Sequence, residues 1–132
     1  MIDKRSQILA ILSTIESTSY SDVQSPDKLL EHGFRLTGWI AFSAECIAEA
    51  KEALHRAREQ AYINLAASLG SQSKQIGVLM MKDFCNDKCA KENAYLALTE
   101  RCNAACTHAN SLVITAISYL KTEMQNLSYA GR

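Results

Sequence analysis

Apolar residues along this chain recur at steps of three and four, which is the repeat of a helix burying one face. Ile8, Ile11, Leu12 and Ile15 set the first stripe and predict a short amphipathic helix over residues 4–18. The polar stretch SYSDVQSPDK then interrupts it. Within that stretch Ser25-Pro26-Asp27 has helix-start chemistry: a hydroxyl cap, a proline where no N–H is needed, and an acid at the positive end of the dipole.

A second helix is expected over 26–69. Ile40, Ile47, Leu54 and Ala61 repeat every seven residues, with Ala50 and Ala57 between them, so its seam is narrow and close to coiled-coil spacing. Gly33 and Gly38 weaken its first turns and mark a place for a kink. Gly70-Ser71-Gln72-Ser73 supplies a terminating glycine and then candidate caps.

A third helix is expected over 73–128. Ile76, Leu79, Met80 and Phe84 open its stripe, and Leu98, Cys102, Ala105, Ala109, Leu112, Ala116, Leu120, Met124 and Leu127 continue it. The polar run CNDKCAKEN at 85–93 shifts the stripe and predicts a kink there.

The pattern therefore predicts an all-α single domain over 1–132. A short N-terminal helix precedes a long antiparallel, coiled-coil-like hairpin. Two long helices with narrow seams bury little against each other, so Trp39, Phe42, Ile114 and Ile117 need a further helix or a second copy of the chain. Self-association, as a dimer or higher oligomer that completes a bundle, follows as an expectation.

Composition agrees with that picture. In 132 residues, 48% are hydrophobic and 21% charged, enough for a core without a staple or a metal. One proline and five glycines argue against an all-β chain. Lysine plus arginine, at 14, balances aspartate plus glutamate, at 14, so no basic field favours nucleic acid. The apolar stretch near the N-terminus is broken by Ser13 and Glu16, too short for a signal peptide or a membrane span. A cytoplasmic protein with reduced thiols and no membrane contact is expected.

Four of the five cysteines form two pairs of equal spacing, Cys85/Cys89 and Cys102/Cys106. Residues four apart share a helix face, so each pair could give a metal two ligands. On a continuous helix Cys89 and Cys102 are about 20 Å apart, beyond the reach of one ion. A four-cysteine site therefore needs a chain reversal, and AKENAYLALTER is rich in helix formers. Packing of small thiols is the expected role, with no cofactor. The twin spacing is also similar to that of small mitochondrial intermembrane-space chaperones, which implies two disulfides closing a hairpin.

Arg101 and His108, in RCNAACTH, stand seven apart and lie nearly on one helix face. The spacing resembles the R-x4-6-H motif of the HEPN family of helical ribonucleases, with Cys102 where that family usually has a polar residue. The resemblance implies that Arg101 stabilises an RNA phosphate and His108 acts in acid–base catalysis. Glu52 and His55 have the E-x-x-H spacing of di-iron bundles, but such a site needs a second pair and two further carboxylates. A solvated charged face is expected there, and the same holds for the basic residues Lys51, Arg56 and Arg58 among their neighbouring acids.

Finally, AYINLAASLGSQSKQIGVLMMKDFC and ERCNAACTHANSLVITAISYLK resemble segments of small helical proteins of tailed bacteriophages. That resemblance implies an accessory protein in the host cytoplasm that acts by contact with itself or with a host or phage protein. The leading expectation is thus a non-enzymatic interaction protein, and the alternative is a HEPN-like ribonuclease.

Overall fold

A computed structural model describes residues 3–19, 25–70 and 77–130. Among them are four helices and no strand: α1 (Lys4–Ser17), α2 (Pro26–Leu69), α3 (Val78–Lys88) and α4 (Ala90–Ala130).

Local chemistry sets the boundaries. The Asp3 side chain caps α1 by accepting from the Ser6 N–H at 2.8 Å. Proline opens α2 behind Ser25, which occupies the cap position without a side-chain cap bond, and Asp27 sits in the first turn. Gly70 closes α2 at φ 57°, a conformation that a side chain would strain. Residues 71–73 of the expected turn, and Ile76, lie outside the described residues.

Gly33 and Gly38 do not break α2, which runs unbroken for 44 residues. At Gly33 a Cβ would stand 3.4 Å from Val113 Cγ1, an ordinary contact distance, so the helix passes through this position beside α4 without a break. The expected kink at 85–93 falls at Cys89 (φ −103°, ψ 24°). Its N–H is shared between the Cys85 and Asn86 carbonyls, and its own carbonyl accepts from Asn93 to start α4.

α2 and α4 pair antiparallel as a long hairpin. Leu29 and Leu36 meet Ala109 and Val113 at one level, and Ser43 meets Asn103 at the next. The seam centre differs from the seven-residue repeat read in the sequence. Leu29, Leu36, Ser43, Cys46, Ala50 and Leu54 are buried on α2, while Ile40 and Ile47 are half-buried at its flank. On α4 the buried line is Thr99, Cys102, Cys106, Ala109 and Val113, and Leu112 is displaced toward solvent.

The helix that the hairpin needed is partly α1 itself. Ile8, Ile11 and Leu12 join Cys46, Cys102 and Cys106 in one core cluster, with Trp39 and Phe42 packed against it. Lys4 pairs with Glu49 at 2.6 Å, and Arg101 pairs with Glu16 at 2.9 Å, so α1 runs antiparallel to α2 across the middle of the hairpin. At 1.5 Å per residue α1 is about 21 Å long and α2 about 66 Å. Both ends of the hairpin extend past α1.

Candidate functional site

The two cysteine pairs lie at separate levels of the hairpin. α4 continues without reversal from Ala90 to Ala130, so it holds Cys89 and Cys102 about 20 Å apart. The four-cysteine metal site, Cys85 with Cys89, Cys102 and Cys106, is therefore not assembled. All five cysteines are buried free thiols, and among the described residues no group of three or more His, Cys, Asp or Glu side chains is placed to hold a metal ion.

Cys102 and Cys106 instead join Cys46 from α2, a residue that the sequence pattern did not single out. Burial, then the adjacent Cys106 thiol and Cys46, push the Cys102 thiol up to about 12. Burial also raises Cys106, opposed by the hydrogen bond that the Cys102 thiol donates to it. Burial raises Cys46 too, opposed by the Tyr95 hydroxyl that donates to it. Thiols held in the protonated form are weaker nucleophiles and metal ligands, and the three form part of the core cluster with Ile8, Ile11 and Leu12. At the hairpin's other level Cys89 is raised by burial and by Glu92, with Arg58 nearby pulling it down.

One level from the thiols, the Asn103 amide donates to the Ile40 carbonyl at 3.2 Å and to Ser43 Oγ at 3.0 Å. Ser43 is fully buried and donates to the same carbonyl at 3.1 Å. This polar tie fixes one register of α2 against α4, because sliding either helix would bury unpaired groups.

Arg101 and His108 are both exposed on α4. The Arg101 guanidinium is engaged by Glu16, which orders α1 against α4. Glu52 pairs with Arg56, and His55 with Glu59 at 3.1 Å, all on the outer face of α2. The E-x-x-H spacing thus belongs to a charged exposed surface and not to a core metal site.

What stands out on the surface is apolar, and much of it lies toward the two ends of the hairpin. At one end Phe34 is 76% exposed and Ile114 58% exposed. α4 also outruns its partner there: Leu120 still packs on the Leu29/Leu36 cluster, but every residue from Lys121 to Ala130 is exposed. Met124 and Leu127 stand 62% and 72% exposed on that overhang. At the far end, an open groove of about 820 Å³ lies between α2 and α3. Tyr62, Ile63, Met81 and Cys85 line it, together with Arg58, Lys82 and the paired His55 and Glu59. A second groove of about 560 Å³, with Ala57, Ala61, Leu65 and Phe84 in its wall, flanks the same helix pair.

Among the described residues, no helix is long and apolar enough to cross a membrane. Compared with family models, curated proteins and solved structures, the chain matches none.

Proposed function

We propose that this is a non-enzymatic, self-associating helical protein that works by protein–protein contact in the cytoplasm. The observation that carries the reading is the number of large apolar side chains left exposed, many of them toward the two ends of the hairpin. Apolar surface gathered in this way is costly in water and is covered on association. The resemblance of the C-terminal half to small helical proteins of tailed bacteriophages supports an accessory role of the same kind, with a host or phage protein as a further partner.

The test combines mass with activity. Light scattering on the purified full chain should give a particle heavier than one chain, and His108→Ala should leave both that mass and the biological effect unchanged. Cleavage of RNA by the wild type that is lost in His108→Ala, with the assembly intact, would overturn the non-enzymatic reading in favour of the ribonuclease.

A further inference from the structure

We propose that α1 is a lifting cover over the three-thiol cluster, and that hydrogen peroxide reaching the cluster when α1 lifts joins Cys46 of α2 to Cys102 of α4 as a disulfide. The inference is independent of association and gives the buried cysteines a redox chemistry.

α1 closes the cluster and is held less firmly than the helices beneath it. Cys46, Cys102 and Cys106 are fully buried, and the cluster's other buried members, Ile8, Ile11 and Leu12, all come from α1. At 14 residues α1 is too short to persist as a helix by itself in water. The ion pairs that tie it, Lys4 with Glu49 and Arg101 with Glu16, are exposed and so contribute little. α2 and α4, by contrast, run for 44 and 41 residues and pair along their seam. Lifting α1 therefore takes less free energy than parting the hairpin, and it uncovers these three thiols. Cys89 is not uncovered with them, because it lies between α3 and α4, and α1 does not touch α3 among the described residues.

Register selects the pair that can join. Gly33 stands beside Val113, and ten residues further along α2 Ser43 meets Asn103, ten residues back along α4. Three more steps bring Cys46 level with position 100, two places from Cys102 and six from Cys106. Along the axis those offsets are about 3 Å and about 9 Å. A disulfide needs its Cα atoms within about 4.4–6.8 Å, so Cys102 is in reach of Cys46 and Cys106 is not. The Cys46 thiol is also among the groups that act on Cys102. Cys102 and Cys106 do not join each other, since their Cβ vectors diverge on one helix.

The chemistry follows from the cover. With α1 seated, burial keeps the thiols protonated. With α1 lifted, water reaches them, while the Tyr95 hydroxyl on α4 still donates to Cys46 and favours its thiolate. That thiolate attacks one peroxide oxygen: an S–O bond forms, the O–O bond breaks, and the leaving hydroxide takes up a proton as water. The Cys102 sulfur then attacks the Cys46 sulfenic acid. An S–S bond forms, the S–O bond breaks, and a second water leaves with the Cys102 proton. The two sulfurs together lose two electrons, and the peroxide gains them.

Peptide mapping of the reduced full chain after hydrogen peroxide at neutral pH tests the proposal. Wild type should give a linked pair of peptides that holds Cys46 and Cys102. Cys102→Ala should abolish the link and Cys106→Ala should keep it. Leu12→Ala loosens α1, so it should speed both the linkage and the alkylation of Cys102 by iodoacetamide at least about 10-fold. Asp3→Ala removes only the α1 cap, leaves the core intact and should speed both by about 2- to 10-fold. Alkylation of Cys89 should keep its wild-type rate in both variants. A rise shared equally by Cys89 means that the chain opens as a whole, and overturns the cover. A link that survives Cys102→Ala, or oxidation of Cys46 and Cys102 to sulfinic acids without a link, overturns the disulfide.

Discussion

Removing the Asn103 amide tests whether the α2–α4 register is held by the polar tie. In Asn103→Ala two hydrogen bonds are lost, to the Ile40 carbonyl and to Ser43 Oγ. At about 1 kcal/mol net for each, with a small addition for the space left behind, the expected loss is about 2–3 kcal/mol. For a chain of this size about 3–5 °C accompanies each kcal/mol, so Tm should fall by about 6–15 °C. Ser43→Ala should cost less, because alanine suits a buried helical site and Asn103 keeps its bond to Ile40. The two changes share a bond, so a double-mutant cycle should show a coupling of about 1 kcal/mol. Denaturant melts at one fixed protein concentration measure all three variants, since association moves apparent stability. A loss below about 0.5 kcal/mol for Asn103→Ala, or strict additivity in the cycle, would refute the tie.

Further outcomes follow from the glycines and the thiols. Gly38→Ala should stabilise by about 0.5–1 kcal/mol, because a Cβ there meets nothing within 4 Å and alanine is the better helix former; a destabilised melt would contradict the open site. The raised thiols make stability fall with alkali: above pH about 9 the unfolded chain releases thiol protons that the folded chain keeps, so the loss runs from pH about 9 to about 12. Cys102→Ala should flatten that slope, which approaches about 1.4 kcal/mol per pH unit for one such thiol, and pH-dependent urea melts would show it. In the native protein at neutral pH a thiol reagent should be slow to find Cys46, Cys89, Cys102 and Cys106, with Cys85 in the open groove the first to react, and should find all five after unfolding.

Much of the fold is legible in the sequence because helices advertise their buried face and their ends. Pro26 and Gly70 bound α2, and the polar run around Cys89 shows as a shift of the stripe. The seam centre was less legible. Ser43 is polar and is buried because Asn103, 60 positions away, supplies its partner, and no local pattern encodes that. Cys46 escaped notice for the same reason: its neighbours Cys102 and Cys106 come from another helix. The separation of the two C-x3-C pairs was legible from helix geometry alone, and the unbroken α4 holds them at different levels of the hairpin. The exposed ends became visible only once the lengths of α1, α2 and α4 could be compared, since Met124 and Leu127 read in the sequence as ordinary members of a buried stripe.

On the proposed function, this chain acts by associating through its exposed apolar surface. Sedimentation of the full-length protein across a wide concentration range tests it most directly. A self-associating chain gives a weight-average mass that rises with concentration above the 14.6 kDa of one chain. A mass that stays at 14.6 kDa throughout, with the helices formed, would contradict it.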